Sequence, residues 1–73
     1  MTLAEILAEN LKIRRGDLSQ EVFARKLGIS RPTLSRLESA AQNTTLQTLN
    51  QIAKALRCDV FELLQEPVSR RRS

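Results

Sequence analysis

Two stretches of helical apolar spacing are separated by only Gly28-Ile29-Ser30, and this joint limits the fold more than any other feature of the sequence. The stretch before it carries Val22, Phe23, Ala24 and Leu27 behind Ser19, a residue suited to capping a helix start. The stretch after it carries Leu34 and Leu37 behind Ser30, a second such cap. So short a link leaves no room for a comfortable antiparallel hairpin, whereas a short turn containing Gly sets two helices at roughly 90–120° to each other. Each position suits that turn. Gly28 can take the left-handed conformation that ends the leading helix, and Ala24 is small where the two helices approach. Phe23, Leu27, Ile29, Leu34 and Leu37 supply an apolar anchor. Pro32 falls in the first turn of the second helix, where a missing amide hydrogen costs little. Arg31 precedes that proline and is disfavoured in helical geometry, which favours a helix start one residue later.

The rest of the chain is also patterned for helices. Leu3, Ile6, Leu7 and Leu11 form one stripe, so residues 2–15 are expected to make a first helix, stopped by Gly16-Asp17. Residues 39–45 form a small polar loop. Thr44 with Gln47 matches a capping box and opens a helix through Leu46, Leu49, Ile52, Ala53 and Leu56. Asp59 with Glu62 matches a second box, opening a short helix through Val60, Phe61, Leu63 and Leu64. No strand-like alternation and no internal repeat is present. The expectation is an all-α fold, a compact five-helix bundle, with one domain over 1–68 and a flexible basic tail over 69–73.

Composition removes most chemistry. A chain of 73 residues holds one small domain. It has no His and a single Cys, Cys58, which excludes imidazole catalysis, intramolecular disulfides and multi-cysteine zinc sites. Cys58 is expected to be a partly buried small residue near a helix end. With no Trp or Tyr, the aromatic platforms that stack single-stranded nucleic acid are lacking as well. The expectation is no enzyme, no cofactor and no metal. Met1-Thr2-Leu3-Ala4-Glu5 does not resemble a secretory leader, and no apolar run is long enough to cross a membrane, so a cytoplasmic protein is expected.

Charge points instead to a partner. The net charge is +4, but Lys12, Arg14, Arg15, Arg25, Lys26, Arg31 and Arg36 stand against only Asp17 and Glu21 in one internal third. Arg70-Arg71-Arg72 adds a basic tip. Clustered cations gain affinity for polyanions by releasing condensed counterions.

The run Leu18-Ser19-Gln20-Glu21, Ala24, Gly28-Ile29-Ser30 and Leu34-Ser35-Arg36-Leu37-Glu38 resembles the phage repressor and Cro-like (Xre-type) helix-turn-helix family. Leu46-Gln47-Thr48-Leu49 and Ile52-Ala53-Lys54-Ala55-Leu56 are similar to that family's fourth helix. The resemblance implies a lambda-repressor-like, five-helix domain that reads double-stranded DNA operators as a twofold homodimer. It implies base-reading roles for Arg31, Pro32, Ser35 and Arg36, the two arginines being suited to guanine. It implies phosphate contacts for Gln20, Thr33, Ser39, Gln42, Asn43 and Thr44. Glu38 is expected to form a structural ion pair with Arg14, while Arg15, Arg25 and Lys26 are expected to face solvent. Val60, Phe61, Leu64 and Val68 are the expected dimer surface. The function so implied is a transcriptional regulator acting as a repressor. A restriction–modification controller, or an antitoxin with a toxin protein as partner, would use the same domain. A protein-interaction module without DNA readout is the competing class.

Overall fold

Thr2 fixes where the first helix begins. Its Oγ1 accepts from the Glu5 amide at 3.1 Å, and Glu5 Oε1 accepts from the Thr2 amide at 2.8 Å. This reciprocal pair satisfies two of the donors left open at a helix start. The computed structural model describes residues 1–41 and 44–67. From Thr2 the chain enters α1 (Leu3–Arg15), then α2 (Gln20–Leu27), α3 (Arg31–Glu38), α4 (Leu46–Leu56) and α5 (Val60–Leu63). Among the described residues there is no strand, and the fold is the expected all-helical one.

Local chemistry accounts for the boundaries. Gly16, at φ 56°, ends α1. Ser19 Oγ accepts from the Val22 amide at 3.1 Å to start α2, and Gly28, left-handed at φ 75°, ends it. Ser30 Oγ accepts from the Thr33 amide at 3.2 Å, and α3 begins at Arg31 itself rather than one residue later. Pro32 stands in the first turn, where its missing amide would have had no intrahelical partner, and the Ser30 cap holds the start at Arg31. The cap of α4 is Thr45, not Thr44. Thr45 Oγ1 accepts from the Thr48 amide at 3.1 Å and donates to the Thr48 hydroxyl at 3.0 Å. Thr44 is instead half-buried, lining an apolar groove with Leu46 and Leu49. Asp59 and Glu62 do form their capping box, with Glu62 Oε2 accepting from the Asp59 amide at 2.9 Å.

One core joins all five helices. It consists of Leu7 and Leu11 of α1, Phe23, Ala24 and Leu27 of α2, Leu34 and Leu37 of α3, Leu49, Ile52 and Ala53 of α4, and Leu63 of α5. Full burial of each large side chain contributes about 1.5–3 kcal/mol. Leu3, expected on the α1 stripe, is 63% exposed because it stands at the rim of the groove between α1 and α4 rather than over the core. Asn10 lies on the buried stripe. Its Nδ2 donates to Leu63 O at 2.7 Å and Gln65 O at 2.8 Å, which fastens the end of α5 to the middle of α1.

Candidate nucleic-acid interface

The apolar spacing of α3 decides which of its side chains are available. Leu34 and Leu37 are drawn into the core and Glu38 is buried beside them. At about 100° of rotation per residue, Arg31, Pro32, Ser35 and Arg36 then fall together on the opposite side, and all four are exposed. Among the described residues neither Arg31 nor Arg36 has an ion-pair partner. Arg14, Arg15 and Arg25, in contrast, hold Glu62 at 3.7 Å, Glu38 at 2.9 Å and Glu21 at 3.6 Å. Among the described residues, the guanidinium forks on α3 are thus left without a carboxylate to bind.

Glu38 anchors α3 from behind. Its Oε2 accepts from Arg15 Nε at 2.9 Å, and its Oε1 accepts from Gln20 Nε2 at 3.0 Å. The expected partner, Arg14, goes elsewhere. One further residue of helical rotation at the end of α1 turns Arg15 toward α3 and Arg14 toward α5. Arg15 is accordingly half-buried rather than a free surface charge, and its Nη1 also donates to Leu18 O at 3.0 Å. The residue types alone do not separate two neighbouring arginines at a helix end.

The residues expected at phosphates are placed unequally. Gln20 begins α2, and with one amide hydrogen given to Glu38 it retains a second donor. The Thr33 hydroxyl accepts from Ser30 Oγ at 2.8 Å and still has its own hydrogen to donate. Ser39 is exposed at the end of α3, its Oγ donating to Arg36 O at 3.0 Å. Thr44 is turned into the groove described above, which brings it into apolar company. Gln42 and Asn43 lie outside the described residues, as does Val68. Of the expected dimer surface, Phe61 is 72% exposed while Val60 and Leu64 are half-buried. Among the described residues no cluster of His, Cys, Asp or Glu could hold a metal ion, and no helix is long and apolar enough to cross a membrane.

Comparison with known proteins bears directly on this arrangement. A family model described as helix-turn-helix matches residues 7–63, the interval from the first to the last leucine of the core. The chain is 42% identical over 66 residues to control protein C.SmaI of Serratia marcescens, covering 88% of this chain and 79% of that protein. It is 46% identical over 46 residues to the plasmid copy control protein CopR of Streptococcus agalactiae, covering 63% of this chain and 50% of CopR. A solved structure, the hypothetical transcription factor NHTF from Neisseria, matches with a TM-score of 0.83 at 32% identity, over 97% of this chain and 84% of that one.

Proposed function

Since the chain belongs to the Cro/C1-type helix-turn-helix family of DNA-binding transcriptional regulators, we propose that it acts as a repressor that binds a palindromic operator as a homodimer. The observation that carries this reading is the pair of guanidiniums, Arg31 and Arg36, that have no ion-pair partner among the described residues and lie on the exposed face of α3. In the major groove each can donate two bonds to guanine O6 and N7, worth about 1–3 kcal/mol of discrimination. Pro32 meets a thymine methyl group and Ser35 accommodates either edge. Gln20 and Thr33, each with a donor left over, hold phosphates and fix the register of α3, whereas the Ser39 hydroxyl is spent on Arg36 O and Thr44 faces the apolar groove.

Size supports two copies. The described residues measure 33 × 26 × 24 Å, so one copy spans no more than about one turn of DNA, ~34 Å. A second copy doubles the sequence read, and Phe61 with Val60, Leu64 and Val68 is the surface proposed to join them. One domain over residues 1–68, acting in the cytoplasm without catalysis, suffices for this role. The names of the similar proteins, a control protein and a plasmid copy control protein, support a regulatory role.

The test is selection of bound duplexes from a randomised library at near-physiological salt. Enrichment of a palindrome with half-sites about one helical turn apart is expected. Salt-sensitive binding with no enriched sequence would sink the proposal and favour a protein-interaction module.

A further inference from the structure

Gln51 lies on α4 but reaches the joint between α2 and α3. Its Nε2 donates to Gly28 O at 2.7 Å and to Leu27 O at 3.2 Å. These carbonyls belong to the end of α2, where the helix has no further amides to offer them. The amides that close the turn reach farther back. Gly28 N–H donates to the Ala24 and Arg25 carbonyls, and Ile29 N–H donates to Ala24 O. The side-chain amide of Gln51 carries two hydrogens in one plane, one for each carbonyl it meets. The approach is so close that a Cβ at Gly28 would lie 2.8 Å from Nε2. Glycine is therefore favoured at position 28 by its φ of 75°, and a side chain there would have to push the Gln51 amide away from its carbonyls.

We infer that Gln51 is the positioning residue that sets α3 against α4. Only Ile29 and Ser30 separate Gly28 from the first residue of α3, so a shift of the turn carries the whole helix with it. The same contact fixes the face bearing Arg31 and Arg36 relative to α4. A site of this kind works only when its parts are held to within about 0.5 Å. The consequence for DNA rests on the reading given above, whereas the positioning itself is a property of the free protein.

Three proteins test it: wild type, Gln51→Leu, which fills the space without a donor, and Gln51→Lys, which restores donors on a flexible stem. Residual dipolar couplings of the free proteins report the orientation of α3 relative to α4. Affinity is measured for a duplex enriched by the wild type and for its scrambled counterpart. Gln51→Leu is expected to reorient α3 and to lose about tenfold on the enriched duplex but less than about twofold on the scrambled one, with Gln51→Lys recovering both. An unchanged orientation, or equal losses on both duplexes, overturns the inference. Should Gln51→Leu not fold, exchange of the Gln51 side-chain amide in the wild type decides: protection is expected, and exchange at the rate of a free glutamine overturns it. If the wild type enriches no duplex, the DNA-reading proposal fails while the couplings still judge Gln51.

Discussion

Arg15 and Glu38 meet across α1 and α3 with Nε 2.9 Å from Oε2, while the adjacent Arg14 reaches only the exposed Glu62 at 3.7 Å. The two arginines differ by one position and by everything around them. Glu38 is buried, so losing Arg15 strands a carboxylate left with Gln20 as its hydrogen-bond partner among the described residues. The Arg15 side chain is 26% exposed, which places the pair below the cost of a fully enclosed one. Arg15→Ala is expected to destabilise by about 1–3 kcal/mol and Arg14→Ala by less than about 0.5 kcal/mol in urea unfolding. Equal losses would show that the α1–α3 pairing does not carry this weight.

Arg36→Ala is the corresponding test of base reading. Affinity for an enriched duplex should fall by about 1–3 kcal/mol while binding to a scrambled duplex stays nearly constant. The folded stability should hardly move, because Arg36 is exposed and has no ion-pair partner among the described residues. Parallel loss on both duplexes would make Arg36 a phosphate contact instead.

Much of this molecule is legible in its residues because the deciding chemistry is local. Ser19, Ser30 and Asp59 cap helices wherever such helices form, and Gly28 ends α2 by its own backbone freedom. The outward face of α3 follows from the spacing of Leu34 and Leu37 alone. Other features depend on how helices are rotated against each other, which a one-dimensional pattern does not contain. Arg14 and Arg15 are equivalent until α3 is placed beside α1. Thr44 and Thr45 offer the same cap, and the packing of Thr44 into the groove decides between them. Gln51 looks like an ordinary exposed polar residue because its partners are backbone carbonyls. Asn10 did leave a signal, a polar residue on an otherwise apolar stripe.

Ala40 holds a left-handed conformation at φ 58°, immediately after the Ser39 cap of α3. An L side chain in that region costs roughly 1–2 kcal/mol, of which glycine's greater freedom when unfolded cancels a part. Ala40→Gly is therefore expected to stabilise by about 0.5–1 kcal/mol, raising the melting midpoint by a few degrees. A lower midpoint would mean that the methyl group makes compensating contacts.

Phe61 is the residue to change for assembly. It is 72% exposed, so Phe61→Glu should leave monomer stability within about 0.5 kcal/mol. Sedimentation should show the wild type as a dimer and the variant as a monomer. A wild type that stays monomeric at high concentration would place the proposed interface elsewhere or nowhere.

Cys58 should react slowly. Burial pushes its thiol up, and the Glu62 and Asp59 carboxylates push the same way against the opposing charge of Arg14. Since the thiolate is the reactive form, alkylation at neutral pH should be slower in the folded protein than in urea. It should accelerate as pH rises through and beyond the ordinary thiol range. Equal folded and unfolded rates at neutral pH would contradict this.

The clamp from Asn10 to the carbonyls of Leu63 and Gln65 closes the domain between its first and last helices. During synthesis, α1 emerges long before the segment it must hold. Until α5 has left the ribosome, Asn10 has no carbonyls to bind and the core lacks Leu63. Four helices are thus made before the structure can close, and closure waits on α5.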